Sequence, residues 1–145
     1  MSTSNPPESF VLFDLAGNTC GVRSQAVQSV EMVEYITAVP NTLPFVEGLT
    51  FTRGRVIPSI NLRIRFGFPR IPADPRARML VVRSKDRVAG MLVDGAREFM
   101  SIPADAIQAV GETIAGIDVR YVEGIATVGD RVVLILNVRE VIEGA

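Results

Sequence analysis

Hydrophobic and polar positions fall in short runs separated by turn-forming residues, at a spacing of roughly eight to twelve residues that marks an all-β chain. Phe10-Val11-Leu12-Phe13-Asp14-Leu15 predicts a strand, Ala16-Gly17-Asn18 a turn and Thr19-Cys20-Gly21-Val22 the returning strand. The layout recurs in residues 79–83 and 87–93 around Ser84-Lys85-Asp86, and in 125–127 and 131–136 around Val128-Gly129-Asp130. The matches are too loose for a solenoid repeat; they predict a chain of antiparallel hairpins.

The central stretch, residues 45–66, organises the rest. Leu49, Phe51 and Arg53 share one face of an extended segment and Thr50 and Thr52 the other. Gly54 permits a tight reversal with positive φ, and Val56-Ile57-Pro58-Ser59-Ile60 resumes as a second strand. Because Pro58 cannot donate a ladder hydrogen bond, this second strand is expected at a sheet edge or bulged. Leu62 to Phe66 predicts a helical turn or two, capped by Asn61 and stopped by Gly67 and Pro69. Before this stretch, residues 24–39 fit both helical and strand periods, and a short turn followed by a strand is the preferred reading.

Residues 1–8, with Ser2, Ser4, Asn5, Pro6 and Pro7, are expected to form a flexible tail, with one domain over 9–145. Residues 70–78, holding Pro72 and Pro75, are the best linker candidate and divide the chain near its middle. Residues 96–102 predict a further strand, and 103–120 a looser region. Asn137 and Glu140 have the spacing of a capping box, so a short terminal helix ending at Gly144 follows. About ten short strands with one or two brief helices point to small β-barrels or a sandwich.

Composition narrows the function. The 145 residues are 48% hydrophobic, yet no run approaches the roughly 20 apolar residues of a membrane span. The start of the chain lacks a basic segment followed by an apolar one, so no secretory signal or membrane insertion is expected and the protein is read as cytoplasmic. The net charge of −1 and scattered basic residues argue against nucleic-acid binding. The single cysteine, Cys20, reads as a buried structural thiol. Histidine is absent, which removes the commonest general base and metal ligand.

Few residues carry candidate chemistry. Asp94, Glu98, Asp14 and Asp118 could form a carboxylate pair, but no spacing fixes one, and they read as turn and strand-end residues; no metal-ligand cluster or phosphate-cradling glycine loop is recognisable. Arg53, at the turn between two apolar strands, is either a solvated residue or a donor to a partner's carboxylate or backbone carbonyls. Val11, Val27, Val30 and Phe51 read as core; any that stay exposed beside Arg53 would form a protein-docking patch. Three function classes stand at this point: a noncatalytic adaptor, a small β-barrel that binds a ligand or peptide, and an enzyme built on Asp94.

The sequence resembles the CheW family of chemotaxis coupling proteins. The resemblance is carried by Phe45-Val46-Glu47-Gly48, Arg53-Gly54-Arg55-Val56-Ile57-Pro58, Asn61-Leu62-Arg63 and Phe66-Gly67, with Gly90-Met91-Leu92-Val93-Asp94 and Gly124-Ile125-Ala126 in collinear order over 9–142. The family's usual Asn-Leu-Arg-Gly is here Phe51-Thr52-Arg53-Gly54, and Asn61 and Asn137 stand where the family often has Asp; these departures point to a divergent member. The resemblance implies two intertwined five-stranded SH3-like β-barrels with short helices and a groove between them. It also implies a noncatalytic adaptor, without cofactor or metal, that joins the cytoplasmic tip of methyl-accepting chemoreceptors to the regulatory domain of a CheA-type histidine kinase. By position it places Val11, Ser24, Val27, Phe51 and Arg53 at the receptor-facing surface, and makes Gly48, Gly54, Gly90 and Gly124 glycines of the fold.

Overall fold

The structure, a computed structural model, describes residues 8–145; the expected tail lies outside them except for Glu8, which opens the first strand. Eleven strands follow: β1 (Glu8–Leu15), β2 (Asn18–Arg23), β3 (Val27–Met32), β4 (Val46–Thr52), β5 (Arg55–Asn61), β6 (Arg78–Ser84), β7 (Arg87–Val93), β8 (Gly95–Ile102), β9 (Ile107–Gln108), β10 (Val122–Val128) and β11 (Arg131–Leu136). Helix α1 (Leu62–Arg65) follows β5 and α2 (Val138–Ile142) follows β11. A 3₁₀ turn, Ser24–Ala26, precedes β3, as the preferred reading of that segment has it. Among the described residues no helix is long and apolar enough to cross a membrane.

Local chemistry produces most of these elements. Ala16-Gly17 and Arg53-Gly54 are two-residue hairpin turns with positive φ at both positions, the twist that matches flanking strands. The Asn61 side chain accepts from Ile64 N–H and starts α1; that of Asn137 accepts from Glu140 N–H and starts α2. The capping box at α2 is only half made. The Asn137 N–H donates instead to the Tyr121 carbonyl, and the Glu140 carboxylate binds Arg120.

The strands form a six-stranded sheet, β8-β1-β2-β11-β10-β9, and a five-stranded sheet, β3-β6-β7-β5-β4. The first exceeds the expected five by the two-residue β9. The proline-rich segment before β6 is not a divider: it joins β5 to β6, two strands of the same sheet. The division is nested instead. The first and last hairpins meet through parallel β2 and β11, and the middle of the chain forms the other sheet. The fold is therefore all-β, with the two SH3-like units intertwined.

Three apolar clusters explain why some runs do not alternate. On β1, Phe10 and Leu12 pack inside the first sheet with Ile102, Val133 and Ile135, while Val11, Phe13 and Leu15 enter the core shared by both sheets. On β6, Met79 and Val81 pack with Ile57 inside the second sheet, and Leu80 and Val82 enter the shared core. Such strands are covered on both faces and read as continuous hydrophobic runs.

Two arginines of α1 tie the halves together. The Arg63 guanidinium holds Asp94, just after β7, through bonds of 2.9 and 2.7 Å, and Asp94 also accepts the Ala16 N–H of the first hairpin turn at 2.8 Å. Arg65 donates to the carbonyls of Glu140, Val141 and Glu143 at the end of α2, and lies over the Phe45 ring at 4.1 Å. Cys20 is fully buried, and burial, with Asp14 and Asp94 nearby, pushes its thiol up to about 12.

Candidate docking site

The β4–β5 hairpin is built inside out. Leu49 and Phe51 point to solvent, Phe51 with 73% of its surface exposed, and Val56, paired with Phe51 across the hairpin, is exposed as well. Thr52 is buried, and Thr50 half-buried, on the opposite face. Polar partners make this possible. The Thr52 hydroxyl donates to the Glu31 carboxylate at 2.7 Å, Ser29 donates to the same carboxylate at 2.7 Å, and Thr50 shares a hydrogen bond with buried Ser59. Among the described residues no buried side-chain nitrogen or oxygen lacks a partner. Hydrogen bonds from Ser29 and Thr52, with Arg53 alongside, hold Glu31 below the usual carboxylate range.

These bonds join the two edges of the second sheet. β3 and β4 lie at its opposite ends, yet Glu31 on β3 meets Thr52 on β4, and Thr37 exchanges both backbone hydrogen bonds with Leu49 at 2.8 and 2.9 Å. Gly48 allows this approach, because a Cβ there would strike the Thr37 carbonyl. The edge expected at β5 is therefore at β4. Leu49 directs its N–H and C=O to Thr37, so Pro58, opposite Leu49, occupies a non-hydrogen-bonded position. The β5–β7 ladder starts one residue later, at Ser59, so the missing N–H is needed on neither side.

Arg53 sits at the tip with φ of 50°. A non-glycine residue there costs on the order of 1 kcal/mol, and such strain concentrates at functional positions. Its side chain is 71% exposed and its Nε lies 3.6 Å from Glu31, a loose pair in which most donors stay free.

The five residues assigned to the receptor face do not form one patch. Val11 must be corrected: it is 3% exposed and belongs to the shared core, so its side chain cannot touch a partner. Its neighbour in the β1–β8 register is Phe99, which is 70% exposed. Ser24 and Val27 are half-buried near this end of β1 and β3. Phe51 and Arg53 gather at the other end of β3, beside Glu31, about 13 Å along the strand from Val27 at roughly 3.3 Å per residue. Two patches result, one around Ser24, Val27 and Phe99, the other around Phe51, Val56 and Arg53. Phe99 and Glu31 were missed in the sequence: Phe99 lies in a plain strand pattern, and Glu31 gains meaning only from Thr52, 21 residues away.

The carboxylates offered for acid–base work all have structural partners. Asp94 binds Arg63, Asp14 binds Arg97, Glu98 binds Arg131, and Asp118 accepts the Arg120 N–H at the start of a 3₁₀ turn. Among the described residues no three acidic or thiol groups cluster as a metal site.

Comparison with known proteins agrees with this architecture. A family model described as a CheW-like domain matches residues 9–145. The chemotaxis protein CheW of Helicobacter pylori is 33% identical over 132 residues, covering 88% of this chain and 79% of that protein. CheW of Klebsiella aerogenes is 26% identical over 135 residues, covering 93% and 81%. The crystal structure of the scaffolding protein TtCheW from Thermoanaerobacter tengcongensis superposes with a TM-score of 0.88 at 31% identity, covering 94% of this chain and 93% of that one. With nearly its whole length matched by the family model and its two nested sheets shared with a solved member, the chain belongs to the CheW family.

Proposed function

We propose that this protein is a noncatalytic, cytoplasmic adaptor that couples methyl-accepting chemoreceptors to a CheA-type histidine kinase in a chemosensory array. The observation that carries the reading is the inside-out hairpin: Phe51, Val56 and Arg53 are held out to solvent on a strand whose polar face is satisfied inward. An exposed aromatic beside an arginine with free donors is the composition of a protein-docking anchor. The solved TtCheW is a scaffolding protein and the curated relatives are chemotaxis proteins, which supports an adaptor role. Receptor contact falls on Ser24, Val27, Phe51 and Arg53, with exposed Phe99 in place of buried Val11. Coupling then requires only that the adaptor bind two states of the array unequally, since a ligand indifferent to both shifts neither.

The test is co-purification of the full chain with receptor cytoplasmic fragments and a CheA-type kinase. Both partners are expected in the complex, and Phe51→Ser with Arg53→Ala should lose the receptor while the protein stays folded. Recovery of neither partner by the unaltered chain would sink the reading.

A further inference from the structure

Strands β5 and β7 run parallel, but their ladder covers only residues 59–61 against 90–92. Upstream they diverge, and Arg55, Val56 and Pro58 on one side and Arg87 and Val88 on the other line an open cleft of about 250 Å³ with Ile142 in its wall. Over these residues β5 is paired only with β4, and β7 only with β6. Each strand therefore turns a free edge to the cleft. Pro58 faces away from β4, so Val56, two residues earlier, does the same. Ser84 and Arg87 close a two-residue hairpin turn, so Val88 faces away from β6. The N–H and C=O groups of Val56 and Val88 thus point into the gap.

The charge of this cleft is unbalanced. Arg55 and Arg87 are exposed and form no ion pair among the described residues. The cleft continues into a second of about 510 Å³ that passes Lys85 and Arg139 to reach α2. One guanidinium, Arg120, serves both Glu140 and Glu143, and Arg139 makes a loose 3.5 Å contact with Glu140, so around the joined clefts the cations Arg55, Lys85, Arg87, Arg120 and Arg139 face the carboxylates of Asp86, Glu140 and Glu143 and a positive excess remains.

We propose that this cleft binds an extended acidic segment of a partner protein, lying along the free edges of β5 and β7 with its carboxylates on Arg55 and Arg87. Free strand edges give an incoming chain backbone hydrogen bonds, and side-chain pockets give it selectivity. A small anion would use the arginines but neither the edges nor the apolar wall. The inference does not rest on coupling to receptors or kinase, because the cleft lies apart from Ser24, Val27 and Phe99 and shares only Val56 with the hairpin patch.

The test uses the full chain and a fluorescein-labelled peptide of about eight residues alternating Glu and Val, of which about four can pair with the free stretches Arg55–Pro58 and Arg87–Ala89. Anisotropy should show binding that weakens about tenfold when Gln replaces Glu in the peptide, and about tenfold in the double variant R55Q/R87Q. Amide shifts in the ¹⁵N spectrum should centre on Val56 and Val88. Absence of binding, equal affinity for the Gln peptide, or shifts centred elsewhere would overturn the proposal. So would inorganic phosphate that displaces the peptide completely while moving the same amides, which would mark a simple anion site. If R55Q/R87Q fails to fold, the Glu-to-Gln comparison on the unaltered chain still decides.

Discussion

Strands β1 and β4 are both rich in apolar residues, and the fold uses them in opposite ways. On β1 every apolar side chain from Phe10 to Leu15 is buried, some inside the first sheet and some in the shared core. On β4 the apolar residues Leu49 and Phe51 face water and the threonines face in. A strand buried on both faces holds two sheets together and has nothing left to offer a partner. A strand turned inside out contributes little to the core and leaves its apolar face to solvent, provided the buried hydroxyls find acceptors, as they do in Glu31 and Ser59.

Truncating one residue of each kind separates the two strands. Phe13→Ala, at a position with no exposed surface, should destabilise the fold by about 3–5 kcal/mol, read from denaturant unfolding. A loss below about 1 kcal/mol would show that β1 is not the seam between the sheets. Phe51→Ala should stay within about 0.5 kcal/mol of the unaltered protein.

Titration separates the regions by the direction of pH. The Cys20 thiol, opposite Phe13, is kept neutral on folding, so its raised value is a stabilisation present at low pH. It is lost as pH rises from about 9 to about 12, at about 1.4 kcal/mol per pH unit. Cys20→Ala should flatten that alkaline limb in unfolding curves; an unchanged limb would remove the thiol as its cause. Glu31 has the opposite sign. Its lowered value stabilises the fold above the ordinary carboxylate range, and that contribution is lost as pH falls through its folded-state value. Glu31→Gln should therefore blunt acid sensitivity without touching the alkaline limb.

Thr52→Val keeps the shape of β4 and removes its bond to Glu31. The expected loss is about 1–2 kcal/mol, since the carboxylate keeps Ser29 and partial access to water. A small effect of opposite sign should come from Arg53→Asn. Asparagine tolerates positive φ better than arginine, so the hairpin should gain a few tenths of a kcal/mol, on the order of 0.5, while receptor capture falls. If stability and capture both fall, Arg53 is a structural residue and the hairpin is not a docking device.

Much of the fold was legible along the chain. The hairpin turns, the caps at Asn61 and Asn137, and the turn-then-strand at Ser24–Ala26 follow from contacts between residues a few positions apart. The edge expected at Pro58 went astray because its cost depends on where Leu49 sends its hydrogen bonds, and that is settled by Thr37, outside the hairpin. Val11 read as core from the residues themselves and was placed at the receptor-facing surface only by the resemblance, which carries a position along the strand and not the burial its neighbours impose.

The sequence by itself determined an all-β chain of hairpins with an arginine-tipped turn at its centre, because turn chemistry and period-two patterning are short-range. Only the tertiary structure decided which face of that hairpin is inside. Periodicity states which residues share a face; whether Phe51 or Thr52 is buried depends on whether a carboxylate such as Glu31 is brought to the threonine, and only the curl of the whole sheet brings it.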